Sequence, residues 1–145
     1  MKKSHVNAIH RINYLNTELE SIYHRSSLKF GISDSVSMVL YAIHDSEGEC
    51  LLSDICKSSG LSKQTVNSAI RSLEAQGLLY LERHDGRSKR VVPTQKGREY
   101  IEKTAARLSR AEAEAFGDWS EAEVAEYVRL TEKYIECFRR QVEEL

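Results

Sequence analysis

The 145-residue chain holds one proline, seven glycines, three cysteines and one tryptophan, and it carries almost no excess of charge of either sign. Each shortage excludes something. Cys50, Cys56 and Cys137 are too few, and odd in number, for a disulfide framework. No run approaches the roughly 18 uncharged apolar residues of a membrane span, so no membrane partner is expected. The N-terminus, MKKSHVNAIHRINYLN, has two lysines but no apolar core of signal-peptide type, which leads us to expect a cytoplasmic protein. No repeat, low-complexity stretch or linker interrupts the chain. One compact domain, or one core with appended helices, is therefore the default. A chain of this length buries roughly two-thirds of its unfolded surface and needs no disulfide or metal to fold.

Catalytic signatures are missing as well. There is no glycine-rich phosphate loop, no nucleophile elbow and no H-E-x-x-H. The five histidines (His5, His10, His24, His44, His84) are scattered, and five residues separate Cys50 from Cys56, unlike C-x-x-C. No acid/base pair stands out. We expect no enzyme, no metal site and no cofactor.

The 21 basic and 22 acidic side chains sum to a net charge of -1, which taken whole argues against a nucleic-acid binder. Divided along the chain, the neutrality disappears. Residues 1–50 sum to -1, residues 51–97 to +4 and residues 98–145 to -4. A basic centre between neutral and acidic arms is the electrostatic footprint of one region meeting a polyanion.

Hydrophobic periodicity supplies the elements. Val6, Ile9, Ile12, Leu15, Leu19 and Ile22 recur at three- and four-residue steps and line one face of a first helix, which Gly31 ends. Ser33 or Ser35 can cap a second helix with Val36, Val39, Leu40 and Ile43 as its buried stripe, closed by the turn-forming cluster Asp45-Ser46-Glu47-Gly48. After the short apolar stretch Cys50-Leu51-Leu52, Ser53 is a candidate cap for a short helix through Ser59, and Gly60 can close it at positive φ. Ser62 then caps a helix with Val66, Ala69, Ile70 and Leu73 inward and Gly77 at its end. Two helices joined so tightly are a helix-turn-helix. Beyond Gly77 the period drops to about two, giving one strand around Leu78–Arg83 and another from Lys89 to Val92, with a turn at Asp85-Gly86-Arg87-Ser88. Pro93 should end the pairing. Thr94 caps a single long helix reaching Phe116, Gly117-Asp118 breaks it, and Ser120 with Glu123 forms a capping box for a last helix. The fold class is mainly α with a small β-hairpin wing: a winged helix-turn-helix core flanked by N- and C-terminal helices. Their apolar stripes are longer than so small a core can cover, and pairing with a second subunit is the simplest answer.

Burying one face of the second helix of the pair turns Lys63, Gln64, Asn67, Ser68 and Arg71 outward. Arginine can pair bidentately with guanine, and glutamine or asparagine with adenine, in a major groove. Ser62 and Thr65, at the positive end of the helix, suit a phosphate. No acidic side chain enters this face before Glu74. At the hairpin tip Arg87 can enter a narrow minor groove. Lys89 and Arg90 can hold flanking phosphates, although one of the two could be a strand-surface charge. Asp85 is expected to accept a turn hydrogen bond or to orient Arg87.

These residues resemble the MarR family of dimeric winged helix-turn-helix transcription regulators. Residues 53–67 (SDICKSSGLSKQTVN) resemble the family's helix-turn-helix, and residues 73–79 (LEAQGLL) the exit from its recognition helix. Asp85-Gly86-Arg87 followed by Thr94-Gln95-Lys96-Gly97 resembles the wing signature D-x-R…L-T-x-x-G. The match runs from Leu52 to Gly97 and, more loosely, over nearly the whole chain. Two positions depart from the pattern. Pro93 stands where leucine is usual, which should shorten the second wing strand, and Gly86 replaces a frequent basic residue. The resemblance implies dimerisation helices at 1–30 and 98–145 around a DNA-binding segment at 31–97. It also implies a homodimer on a pseudo-palindromic operator of double-stranded DNA, usually as a repressor, released by a small aromatic or anionic effector. Tyr14, His24, Tyr41 and Arg98 are polar groups near the crevice such ligands use, but no spacing singles them out from ordinary core or surface roles. Two alternatives stay open: a thiol- or oxidation-responsive regulator, and a winged helix used for protein contact without DNA.

Overall fold

A computed structural model of the chain describes residues 3–46, 50–86 and 88–145. The chain divides into two compact units, Met1–Ser109 and Arg110–Leu145.

In the first unit, helix α1 (Lys3–Phe30) presents its apolar stripe largely to solvent, and Ser27 is its one buried residue. Gly31 takes φ 68° and stops it. Helix α2 (Asp34–Asp45) starts at Ser33, whose hydroxyl accepts from the Val36 amide, and it buries Val39, Leu40 and Ile43. The Glu47-Gly48 part of the expected turn lies outside the described residues. Helix α3 (Leu52–Ser59) and helix α4 (Lys63–Ala75) follow, joined through Gly60 at φ 66°. Val39, Ile55, Val66, Ile70 and Leu73 are the most deeply buried large side chains, so the core lies where α2, α3 and α4 meet. Strands β1 (Leu79–Arg83) and β2 (Lys89–Pro93) pair antiparallel, from Leu79 opposite Pro93 to Arg83 opposite Lys89. Helix α5 (Gln95–Lys103) is capped by Thr94, and helix α6 (Ala105–Ala115) continues across the boundary between the units.

In the second unit, helix α7 (Glu121–Glu143) opens with the capping box expected at Ser120 and Glu123. Phe116, Trp119 and Tyr127 pack their rings together beside that start, with centroids 5.1–6.4 Å apart. Past it, no residue of α7 is buried. The fold is the one the sequence pattern implies, mainly helical with a two-stranded wing.

Three local expectations need correction. Ser53 does not cap α3. Leu51 holds that position, tied into a β-bridge with Arg90 while its carbonyl accepts from the Asp54 and Ile55 amides. Pro93 does not shorten the second strand. The Val91 amide donates to Cys50, so the nitrogen of Pro93, two residues on, also faces away from β1 and its missing N–H interrupts nothing; the Thr94 amide then donates to Leu78. The long helix after Thr94 is two helices. Thr104, at φ -122° and ψ -89°, sends its hydroxyl back to the Tyr100 carbonyl at 2.7 Å, a back-bond that competes with the helical ladder and bends it.

Candidate nucleic-acid interface

The turn between α3 and α4 is built by small polar groups. The Ser59 hydroxyl accepts from the Leu61 amide at 3.3 Å, and the Ser62 hydroxyl accepts from the Thr65 amide at 3.1 Å. The Ser62 and Thr65 hydroxyls also bond to each other at 2.8 Å. This pair therefore has its own structural work as a helix cap.

With Val66, Ala69, Ile70 and Leu73 inward, the opposite side of α4 carries Gln64, Asn67, Ser68 and Arg71 at steps of three and four, with Lys63 beside them. Lys63, Gln64, Ser68 and Arg71 are exposed, and Asn67 and Thr65 are half-buried. Among the described residues none of Lys63, Gln64, Asn67, Ser68 and Arg71 makes a side-chain hydrogen bond or ion pair. Glu74 is half-buried near the far end of the helix. The result is a row of donors along one side of the helix, without side-chain partners among the described residues.

The wing packs on α4 through β1. Arg90 lies opposite Glu82 and donates to its carboxylate from both Nε and Nη2, at 3.2 and 2.7 Å. Of the two cations named for flanking phosphates, Arg90 is thus the one already paired across the wing. Lys89 is exposed and lies directly opposite Arg83, a like-charge pairing that costs stability unless an anion shares it. In the turn, Gly86 is at φ 38°, the Ser88 amide donates to the Asp85 carbonyl, and the Asp85 carboxylate lies 3.6 Å from His84. Arg87 lies outside the described residues.

Of the other basic residues in the +4 segment, Lys96 donates to the Gln76 carbonyl at 3.0 Å. In the sequence Lys96 stands as one charge of the +4 segment and as an unspecified position of the Thr94-to-Gly97 motif; its bond to the carbonyl end of a helix twenty residues earlier leaves no local trace. Lys57, Lys63, Arg71, Arg83 and Lys89 are exposed and unpaired among the described residues.

The polar groups flagged near the crevice have ordinary partners. The Tyr14 hydroxyl donates to Glu18, and Arg98 donates to the Pro93 carbonyl and to Gln95. Tyr41 packs against the core and meets His44 edge-on. His24 bonds to Asp34 at 2.8 Å, and this bond, with one from Ser27, holds the Asp34 carboxyl below its usual range. Of the three thiols, Cys50 is buried and its pKa is pushed up by desolvation, Cys56 is half-buried against the core, and Cys137 is exposed with Arg140 donating to its sulfur at 3.4 Å. No group of three or more potential metal ligands occurs among the described residues, and no helix there is long and apolar enough to cross a membrane.

A tight helix pair, a donor-lined second helix and a hairpin packed on it define the class: a winged helix-turn-helix protein. Comparison with known proteins sharpens this. Residues 30–90 match the model of the MarR family. Among solved structures the chain is similar to AbsC, a MarR family transcriptional regulator from Streptomyces coelicolor, with 21% identity, a TM-score of 0.77 and coverage of 96% of this chain and 97% of that one. A MarR family regulator from Neisseria meningitidis gives 16% identity and a TM-score of 0.82, over 94% and 97% of the two chains. BpsR of Bordetella bronchiseptica, whose DNA binding is regulated by 6-hydroxynicotinic acid, gives 23% identity and a TM-score of 0.64, over 86% and 98%. At these identities the structural likeness speaks for the fold. Among curated proteins no sequence matches the chain.

Proposed function

We propose that this protein is a sequence-specific DNA-binding transcription regulator, acting in the cytoplasm as a homodimeric repressor on a pseudo-palindromic operator. It is a binding protein with no catalytic role. The observation that carries the reading is the outward face of α4, where Lys63, Gln64, Asn67, Ser68 and Arg71 have no partner within the described residues. Solvated helix faces usually mix acidic and basic residues; this one offers bidentate donors at helical spacing, the pattern that reads base edges. Ser62 and Thr65 at the helix start, and Lys89, Arg90 and Arg87 on the wing, are the proposed backbone contacts, with Lys89 ahead of Arg90 because Glu82 already holds the latter.

Dimerisation is supported by the apolar stripes. Leu15, Leu19 and Ile22 on α1, and Val128, Ile135, Phe138 and Val142 on α7, are each 45–57% exposed. Such faces are costly on an isolated chain. An effector of small aromatic or anionic type fits the family resemblance and the behaviour of BpsR.

Selection of bound fragments from the source genome tests the reading, followed by titration of the recovered duplex over a salt series. Affinity should fall steeply between about 50 and 200 mM salt. Arg71→Ala should relax the preference at one base pair by about 1–3 kcal/mol. Arg87→Ala should weaken binding to the recovered duplex without dissociating the dimer. Flat, weak binding to every duplex would instead favour a winged helix that contacts protein alone.

A further inference from the structure

Helix α4 ends on a glycine turn. Gly77, at φ 70°, lets the chain turn back, so that its amide donates to the Glu74 carbonyl at 2.9 Å and the Leu78 amide to Leu73 at 3.0 Å. That satisfies two of the carbonyls left open at the end of the helix. No basic residue occupies the last turn of α4, so the negative end of its dipole has no cation from its own sequence.

Beyond them the carbonyls of Gln76, Gly77 and Leu78 all accept from the cap and first turn of α5. The Lys96 ammonium donates to Gln76 at 3.0 Å, the Thr94 hydroxyl to Gly77 at 2.7 Å, and the Thr94 amide to Leu78 at 3.0 Å. Gly97 makes the approach possible: a Cβ there would lie 1.7 Å from the Leu78 oxygen. The first turn of α5 therefore seats directly on the turn that leaves the recognition helix.

We propose that Lys96 is a positioning residue of the reading head and not a phosphate contact. Its ammonium supplies the cation that the end of α4 lacks, and with Thr94 it fixes the pose of α4 against α5. The consequence for DNA rests on the function proposed above; the capping role does not. Base edges are read only if α4 lies in register, whereas phosphate contacts carry no sequence information. Loss of a positioning residue should accordingly fall on sequence-specific binding.

The test uses the full chain with Lys96→Met, which keeps the stem and removes the donors, and Lys96→Arg, which keeps a donor. In hydrogen exchange without DNA, amides at the end of α4 and at Gly77 and Leu78 should exchange roughly three- to tenfold faster in Lys96→Met, with Lys63→Met as an unaffected control. Against a duplex selected by the wild-type protein from a random pool, Lys96→Met should lose roughly three- to tenfold in affinity. It should lose little on an unselected duplex, and the dependence of log affinity on log salt should keep its slope. Lys96→Arg should recover both readouts. A slope shallower by about 0.9, with both duplexes weakened equally, would show a phosphate contact and overturn the proposal. Unchanged exchange at the end of α4 would overturn it too. Should the wild-type protein select no duplex, the DNA reading fails, and the exchange arm still decides whether Lys96 caps the helix.

Discussion

Replacing Gly97 by alanine puts the docking of α5 to a direct test. Gly97 is buried, its φ needs no left-handed conformation, and alanine is ordinarily the better helix former by about 1 kcal/mol. By propensity alone the substitution should stabilise. The packing says the reverse. The new Cβ would lie 1.7 Å from the Leu78 oxygen and 2.8 Å from its carbon, where a carbon–oxygen contact needs about 3.3 Å. The first turn of α5 must therefore retreat by roughly 1.5 Å, enough to carry three hydrogen bonds of 2.7–3.0 Å beyond useful length. Lost bonds and overpacking strain, less the propensity gain, give a destabilisation of roughly 3–5 kcal/mol. For a chain of this length that is a fall in Tm on the order of 10–15 °C. Gly60→Ala is the internal standard. It strains a φ of 66° but meets no atom within 4 Å, so it should cost only about 1–2 kcal/mol. Thermal and urea unfolding followed by circular dichroism measure both. A Gly97→Ala protein that melts within about 2 °C of wild type, or above Gly60→Ala, would refute the close seating of α5 on the turn after α4.

Two further outcomes follow from the same physical chemistry. In timed alkylation at neutral pH, Cys137 should react first, Cys56 more slowly and Cys50 last, because Cys50 is buried with its pKa pushed up; fast modification of Cys50 would favour the thiol-sensor alternative. The His24 and Ser27 hydrogen bonds lower the folded-state pKa of Asp34, so its contribution to stability is present above the ordinary value of 3.8 and is lost as pH falls through the depressed one. Asp34→Asn should therefore narrow the stability difference between neutral pH and about pH 3, by no more than about 1 kcal/mol since both side chains of the His24 pair are over half exposed; an unchanged difference would remove Asp34 from the account.

What the sequence disclosed, and what it hid, divides by the range of the interaction. Ser62, Thr94 and Ser120 could be read as caps because a hydroxyl and the amide three residues on lie within one turn. Gly60 and Gly77 could be read as helix ends for the same reason. Which side of α4 faces outward followed from its four inward apolar residues. Ser53 misled because it is locally as good a cap as Ser62, and only the bridge to Arg90 gives Leu51 that place. The direction of the Pro93 nitrogen depends on which edge of β2 meets β1, information that resides in strand register. The break at Thr104 was hidden because threonine tolerates a helix interior well enough to leave the apolar period intact. Arg90 and Lys96 looked like any other surface cations, and only tertiary contacts show that Glu82 and Gln76 engage them.

Those two engagements change what the +4 segment can do. Eight basic residues were available to a polyanion by count, but Lys96 works inside the fold and Arg90 is paired across the wing. Five described cations remain unpaired among the described residues, and Arg87 is the sixth candidate. If each met one phosphate, a single head would give a salt slope no steeper than about -5. Asp54, Glu74 and Asp85 share the segment and make even that an upper bound. Non-specific attraction through one head is correspondingly weak. Tight binding, on the proposed reading, then comes from base contacts along α4 and from joining two heads on one operator, which multiplies weak affinities by an effective concentration set by the linking helices. On the proposed reading, the long exposed stripes of α1 and α7 are thus a requirement of affinity as well as of solubility: a head this modestly charged needs a partner.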